Sequence, residues 1–266
     1  MIKKVLSAWL LAIAVINVYA QNPTAQNGSV QSGVEDPEPF GMRWAAMKSF
    51  PKKHYHVYDC NDKGIVYPEK ENANPQNCMF VISKRDFRIY VYEDTPNGKE
   101  LVAHFPVCLA RNTGDKTRSG DGTTPVCVKG KNGEYIPFTI SQIQPASSWR
   151  HDFKDGRGNI LAYGDWFMRL QLNSHRVASN RSIGIHGSSS NAISVPGRDS
   201  EGCIRLRNND LNILHRYARV GTKVIIKPEN AGKLPWELEA QRKLGSRYQR
   251  PQQGFVLPEG GVWVNK

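Results

Sequence analysis

Two residues that can carry out nucleophilic catalysis lie close together in the chain. Cys203 follows His186 by 17 positions, and each has a glycine beside it, Gly202 and Gly187. A free thiol has a pKa of about 8.5, so it needs help to become a nucleophile at neutral pH. A neighbouring histidine can accept the thiol proton and later return it to a leaving amine. The pair therefore indicates a cysteine nucleophile, Cys203, with His186 as its base.

The local sequence predicts elements that would bring these two side chains together. His186 closes a short apolar run that is typical of a strand, and Cys203 comes just before a predicted helix, whose N-terminus would favour a thiolate. Gly202 leaves room for a substrate carbonyl, and nearby backbone N–H groups could form an oxyanion hole. By spacing alone, a disulfide half-cystine and a surface histidine are the more common explanation of such a pair.

The residues around the pair carry a resemblance to a known family. His186-Gly187 is followed by Ser200-x-Gly202-Cys203-Ile204-Arg205-Leu206, and Asn208, Asp210 and a Gly-Thr-x-Val-x-Ile run at 221–226 come after it. Thr124-Pro125 and the strand-like runs upstream fit the same pattern. This pattern resembles the catalytic domain of the L,D-transpeptidases and covers about 150 residues, an ordinary domain size.

The resemblance implies a fold and a reaction. The fold is mostly β, an L,D-transpeptidase-like β-sandwich with one or more short helices packed on it. Cys203 would form a thioester with the third residue of a peptidoglycan tetrapeptide stem and release D-alanine. An amine of a second stem would then take the acyl group, which gives a 3→3 cross-link.

The resemblance also implies roles for the residues beside the pair. The Gly187 carbonyl would hold the His186 imidazole in its useful tautomer. Arg205 would fix either the site itself or a substrate carboxylate. Ser200 would either donate to the cysteine loop or contact substrate, and Gly202 would lie against the substrate.

Glu201 departs from the family pattern, which often has His or Arg at this position. A carboxylate here could orient a substrate ammonium, point to solvent, or raise the pKa of the cysteine. Two other functions therefore stay open. One is an L,D-carboxypeptidase or wall-protein hydrolase that uses the same acyl-enzyme, and the other is a non-catalytic peptidoglycan-binding module.

The N-terminus and the overall charge indicate export to the cell envelope. Residues 1–20 have a Lys-Lys start, an apolar core and Val-Tyr-Ala at the end, which is typical of a cleaved signal peptide. No later run is long enough to span a membrane, so we expect no membrane span after cleavage. The net charge of +12 fits nucleic acid or an anionic envelope. Export to the periplasm favours the envelope, so peptidoglycan stem peptides are the expected partner and nucleic acid is not.

The five cysteines form an odd set in an oxidising compartment. If four of them pair, one thiol remains, and Cys203 is the natural one to stay free. Three connectivities are possible for Cys60, Cys78, Cys108 and Cys127. Proximity in the chain favours Cys60–Cys78 and Cys108–Cys127.

We predict five segments along the chain. After the signal peptide come a polar linker at 21–39, an irregular N-terminal extension at 40–78, the catalytic domain at 79–228 and a C-terminal tail at 229–266 that packs across the domain. The strands of the domain are predicted at 79–82, 87–92, 101–110, 135–143, 163–172, 182–185 and 222–227. One helix starts at Asn208 or Asn209, which would cap it, and Gly221 stops it at C′.

The sequence predicts no metal and no cofactor. His54-x-His56 has no third ligand nearby, and there is no phosphate-binding loop or dinucleotide fingerprint. His175 and His215 are secondary candidates for the site, while Asn208 and Asp210 are expected to be cap residues. The sequence carries no signal for an oligomeric state.

Overall fold

The computed structural model describes residues 62–154, 156–177 and 183–250. The predicted signal peptide, the linker, the first part of the N-terminal extension with Cys60, and the end of the tail lie outside the described residues.

The described chain is rich in strands. Two α-helices accompany them, α1 (Asn208–His215) and α2 (Pro235–Leu244). The strands are β1 (Ile65–Val66), β2 (Cys78–Ser83), β3 (Arg88–Thr95), β4 (Gly98–Pro106), β5 (Cys108–Ala110), β6 (Phe138–Pro145), β7 (Arg150–Asp152), β8 (Asn159–Leu161), β9 (Trp166–Gln171), β10 (Gly184–His186), β11 (Gly197–Ser200), β12 (Ile204–Arg205) and β13 (Lys223–Lys227).

Eleven of these strands form one mixed sheet, in the order β1-β4-β3-β2-β13-β6-β9-β10-β12-β5-β11. Most neighbours are antiparallel, but β13 with β2, β10 with β12 and β11 with β5 are parallel pairs. Strands β7 and β8 form a separate antiparallel hairpin. The parallel β10–β12 pair positions the candidate site, because β10 ends at His186 and β12 begins directly after Cys203.

Both faces of the sheet are covered, which explains why its central strands are apolar at consecutive positions. Alternate residues of β2 enter two different clusters, with Phe80 and Ile82 in one and Met79 and Val81 in the other. The first cluster also contains residues of β10, β12 and α1, so the sheet curls around it. Helix α2 packs on the second cluster. The predicted mostly β fold with short helices packed on it is confirmed.

The chain changes partners at Val107, where a single strand at 101–110 was predicted. Before it, β4 pairs with β3, and after it, β5 pairs with β11 and β12. The Val107 N–H still donates to the Phe87 carbonyl on the β3 side, while the Val107 carbonyl accepts the N–H of Gly197, the first residue of β11. This break carries the chain from the core strands to the edge of the sheet beside the cysteine loop.

The first helix forms where it was predicted, but its ends differ from the prediction. Arg207, not Asn208, holds the N-cap position, and the helix ends at His215. Gly221 lies beyond the helix, and its N–H donates to the Ile140 carbonyl. The Asn208 side chain is used elsewhere in the fold, as described below.

The second helix lies in the tail, where no helix was predicted. Pro235 starts it, and the buried Glu237 carboxylate accepts hydrogen bonds from the Leu234 N–H at 2.7 Å and from Lys227 Nζ at 2.5 Å. Ala240 and Leu244 are the residues that it buries against the sheet. Few of its positions are apolar, so the hydrophobic period is weak, and the buried ion pair helps to fix it.

The predicted Cys108–Cys127 disulfide is wrong. Both cysteines are free thiols, buried among different partners. The Cys127 sulfur accepts the Ile226 N–H of β13, while Cys108, in β5, lies beside Arg205 in a distant part of the sheet. Cys78 is also a free buried thiol, and the pairing predicted for it involves Cys60, outside the described residues.

A buried histidine links both ends of the described chain to the sheet. His104 Nδ1 accepts from Arg88 Nε at 2.9 Å, and its Nε2 lies 3.1 Å from the Gln249 carbonyl oxygen. Arg88 in turn forms an ion pair with Asp62. Burial and the charge of Arg88 lower the pKa of His104 to about 3. The imidazole is therefore neutral in the folded protein at ordinary pH.

This histidine should make the fold sensitive to acid. Its pKa is about 3 when folded and about 6.5 when unfolded, so its contribution is complete above pH 6.5 and is lost as pH falls towards 3. Between pH 6.5 and 5 the loss is about 2 kcal/mol of unfolding free energy. His104→Gln keeps one acceptor and one donor but cannot titrate. Urea unfolding should show a smaller loss over this interval in His104→Gln, and equal losses in the two proteins would contradict the assignment.

Candidate active site

The parallel pairing of β10 and β12 brings the two predicted catalytic residues to neighbouring strands. Ile185 lies opposite Ile204, and His186 lies opposite Arg205. Both isoleucines point into the core. Because side chains alternate along a strand, His186, Arg205 and Cys203 fall on the other face. Cys203 comes directly before β12, and its sulfur has a hydrogen bond to the backbone of Gly184.

His186 is held in one tautomer by the backbone. Its Nδ1 lies 2.7 Å from the Gly187 carbonyl oxygen. Burial and the charge of Arg205 lower the pKa of His186 to about 3, so the ring is neutral. A carbonyl oxygen can only accept, and Nδ1 therefore carries the proton. This leaves Nε2 with a lone pair that can accept a proton.

Aromatic rings fix the orientation of this imidazole. Phe167 stacks on it with ring centroids 5.7 Å apart and an angle of 10°. Tyr163 packs at 4.9 Å. Trp149 contacts both of these aromatic side chains, at 5.5 Å from Phe167 and 5.8 Å from Tyr163. Sequence reasoning assigned no role to this group, although the aromatic density of residues 149–167 was a visible signal.

Gly187 is required by its close contacts. A Cβ at this position would lie 2.6 Å from Asn208 Oδ1 and 2.9 Å from Leu211 Cδ2. Asn208 Oδ1 also accepts the Asp165 N–H at 2.8 Å. The predicted cap residue Asn208 therefore connects the start of α1 to the loop before β9, right beside the histidine backbone.

Cys203 is partly exposed, and a tight turn presents it. Gly202 has φ of +152°, and the Ser200 hydroxyl donates to the Cys203 carbonyl at 2.6 Å. Ser200 is buried, so of its two predicted roles the structure shows the one in the cysteine loop. Burial raises the pKa of the Cys203 thiol, while the Gly184 hydrogen bond and the charge of Arg205 act to lower it. Strand β12 and two further residues lie between Cys203 and α1, which begins at Asn208.

Arg205 stabilises the site from inside. It is 1% exposed, and its Nη1 donates to Ser194 Oγ at 2.7 Å and to Asp199 Oδ2 at 2.9 Å. The ring of Phe153 covers its guanidinium at 5.3 Å. These contacts match the structural role among the two predicted for Arg205.

Glu201 has a partner on the β7–β8 hairpin. Its carboxylate lies 3.1 Å from His151 Nε2, and both side chains are partly exposed. The same hairpin places Phe153 on Arg205, and Arg157 Nη1 donates to Asn191 Oδ1 at 2.7 Å. The hairpin therefore contacts the chain on both sides of Cys203, at residues 191, 201 and 205. Sequence reasoning did not identify it, because His151 lies 52 positions before Cys203.

The two secondary histidine candidates have other partners. His175 Nε2 contacts Asp115 Oδ1 at 2.9 Å, which joins two loops. His215 stacks on Trp166 with centroids 4.1 Å apart. Asp210 is largely buried, and burial raises its pKa to about 6. In the described residues no group of three or more His, Cys, Asp or Glu side chains could hold a metal ion.

Comparison with known families supports the assignment that this geometry suggests. The sequence model of the YkuD family, the L,D-transpeptidase catalytic domain, matches residues 79–226. The chain belongs to the L,D-transpeptidase family. This family acts on peptidoglycan and depends on a cysteine. No protein with curated annotation matches the chain.

Solved structures include similar proteins of low identity. Bd1075 of Bdellovibrio bacteriovorus is 14% identical, with a TM-score of 0.41, and the match covers 68% of this chain and 57% of that one. The helical cell shape determining protein Pgp2 of Campylobacter jejuni is 16% identical, with a TM-score of 0.39 and coverage of 74% and 58%. An L,D-transpeptidase of Mycobacterium smegmatis is 18% identical, with a TM-score of 0.38 and coverage of 57% and 58%. This L,D-transpeptidase family member thus spans less than two thirds of each of these three chains.

Among the described residues, no helix is both long and apolar enough to cross a membrane.

Proposed function

We propose that this L,D-transpeptidase family member cross-links peptidoglycan stems through a thioester on Cys203. The observation that carries the proposal is the hydrogen bond between His186 Nδ1 and the Gly187 carbonyl. It leaves Nε2 as the proton acceptor on the strand face that Cys203 shares. A neutral imidazole with its lone pair on this face is the base that a thiol needs.

The resting pair is a neutral thiol and a neutral imidazole. Burial raises the pKa of Cys203 and lowers that of His186, and both shifts oppose a preformed ion pair. His186 Nε2 therefore takes the thiol proton as the sulfur attacks the carbonyl carbon of the third stem residue. The bond from sulfur to carbon forms, and the carbonyl π electrons move to oxygen, where backbone N–H groups of the cysteine turn can stabilise them.

The second half of the reaction releases one product and accepts another substrate. His186 returns its proton to the D-alanine nitrogen as the peptide bond breaks and the thioester remains. An amine of a second stem then attacks the thioester, and its proton passes to His186 as the thiolate leaves. His186 returns this proton to the thiolate, which restores the Cys203 thiol, and a 3→3 cross-link has formed.

The location of the enzyme follows from its substrate. Peptidoglycan lies in the cell envelope, and the family acts on it. We propose that residues 1–20 export the chain to the periplasm and are cleaved, that 21–39 is a linker, and that 79–228 is the catalytic domain between two extensions.

A direct product assay tests the function. The purified mature protein is incubated with a disaccharide-tetrapeptide, the products are read by mass spectrometry, and Cys203→Ala is the matched control. A cross-linked dimer that has lost one D-alanine, present only with Cys203, is the expected result. Tripeptide alone would assign an L,D-carboxypeptidase, with water in place of the amine. If the intact protein and Cys203→Ala both leave the substrate unchanged but bind peptidoglycan, the non-catalytic module is the better assignment.

A further inference from the structure

A buried lysine lies behind the turn that carries the cysteine. The Lys116 side chain is 2% exposed, and its Nζ donates to Asp121 Oδ1 at 2.8 Å. An ammonium group has three N–H donors. Among the described residues, Asp121 supplies the hydrogen-bond acceptor for it. Such a buried cation is costly unless its charge is compensated, so its position calls for a physical reason.

Asp121 fixes the loop that holds this lysine. Its Oδ2 accepts the N–H groups of Thr117 at 2.7 Å and Arg118 at 3.1 Å, and its Oδ1 accepts that of Thr123 at 3.1 Å. The Lys116 ammonium and these N–H groups hold the pKa of Asp121 far below its usual range, although burial alone would raise it. The carboxylate is therefore always ionised, and the lysine stays paired with it.

The loop places the Lys116 ammonium beside Gly202, in the turn that carries Cys203. A Cβ built on Gly202 would lie 3.2 Å from the Thr123 carbonyl oxygen and 3.7 Å from Lys116 Nζ. Because Gly202 has no side chain, its own atoms do not separate the backbone of the turn from the Lys116 ammonium. The loop also begins beside the same turn, because the Arg111 N–H donates to the Ser200 carbonyl at 2.9 Å.

Three charged side chains act on the Cys203 thiol. Arg205 and Lys116 lower its pKa, and Glu201 raises it, against a background of burial that raises it further. Arg205 is already bonded to Asp199 and Ser194. Lys116 approaches the turn from a different loop, on the side of Gly202.

We propose that Lys116 is a positioning residue for Cys203, whose ammonium, anchored by Asp121 behind Gly202, stabilises the negative charge that develops on the sulfur. In a buried setting of low effective dielectric, a nearby cation acts much more strongly than it would in water. The inference rests on the proposed role of Cys203 as nucleophile. It assigns to the loop at 115–123 a function in activating the thiol, beyond that of a connection between strands.

The test is the pH dependence of Cys203 alkylation by iodoacetamide, followed by mass spectrometry of the peptide that contains Cys203. Lys116→Met removes the charge and keeps much of the length of the side chain, while Lys116→Arg keeps the charge. Lys131→Met is the matched control, because Lys131 is exposed. We expect Lys116→Met to raise the pH midpoint by about one unit, which means roughly tenfold slower alkylation below the midpoint. Lys116→Arg and Lys131→Met should keep the original midpoint.

Asp121→Asn separates a charge effect from a loosened loop. It removes the carboxylate charge and weakens the same loop, but asparagine keeps an oxygen that can accept from the Lys116 ammonium. The cation therefore stays beside Gly202, and the midpoint should not rise. A midpoint that rises equally in Lys116→Met and Asp121→Asn, or that does not move in Lys116→Met, would overturn the proposal. If Lys116→Met does not fold, as judged by circular dichroism, Lys116→Gln takes its place and Asp121→Asn still decides between charge and structure.

Alkylation needs no substrate, so this test is independent of the product assay. A shifted midpoint in a protein that forms no cross-link would contradict the proposed function and leave the role of Lys116 standing. Normal cross-linking with an unchanged midpoint would reject the role of Lys116 alone.

Discussion

Replacing His186 with glutamine should lower kcat/KM for cross-linking by about 10²- to 10⁴-fold, the usual contribution of a positioned general base. Glutamine can fill the space under Phe167 and donate to the Gly187 carbonyl, but it cannot take a proton from the thiol. His215→Gln is the matched control, because His215 is the last residue of α1 and stacks on Trp166. It should keep nearly full activity.

The pH profile gives an independent view of the same histidine. Burial lowers the pKa of His186 to about 3, so the ring stays neutral and able to accept a proton well below pH 6.5. We therefore expect the kcat/KM of the native enzyme to show no His186-dependent fall as the pH drops through 6.5. An acid limb centred near 6.5 in the native enzyme, or His186→Gln activity within tenfold of the native value, would contradict this role.

Replacing Arg205 with methionine should cost about 3–5 kcal/mol of unfolding free energy, the range for removing one partner of a buried ion pair. The change leaves the Asp199 carboxylate, 3% exposed, without its closest cation. It also removes the donor to Ser194 and the cation under the Phe153 ring. Urea unfolding followed by circular dichroism measures the loss.

Two further variants separate charge from packing at this position. Arg205→Lys keeps the charge but loses the planar fork, so its loss of stability should be smaller than that of Arg205→Met. The double variant Arg205→Met/Asp199→Leu removes both members of the buried pair and should recover part of the loss. A loss below about 1 kcal/mol in Arg205→Met would place the pair among those of little energetic weight.

The candidate catalytic pair could be identified from the sequence because its evidence is local. His186 and Cys203 both stand next to glycines and beside apolar residues, and the alternation of Ile185 and Ile204 shows which face their neighbours take. The strands of the core were predictable for the same reason, since fully buried strands are apolar at consecutive positions. Helix α2 was missed because its stability depends on Lys227, a residue of a different element.

The cysteine prediction failed for a physical reason. An oxidising compartment favours disulfides, but pairing also requires the two Cβ atoms to come within about 4.5 Å of each other. Cys108 lies in β5, next to β12, and Cys127 lies next to β13, and three strands stand between β12 and β13 in the sheet order. Strand order is a property of the whole chain, which the spacing of two cysteines does not reveal.

The sequence by itself determined the nucleophile and base as candidates, the β-rich class of the fold and the family, because each depends on residue types at short spacing. Only the tertiary structure decided what surrounds the thiol. Lys116 lies 87 positions before Cys203, yet it reaches the far side of Gly202. His151, from the hairpin, pairs with Glu201. Burial and electrostatic fields act through space over a few ångströms, so they depend on which distant segments the sheet brings together.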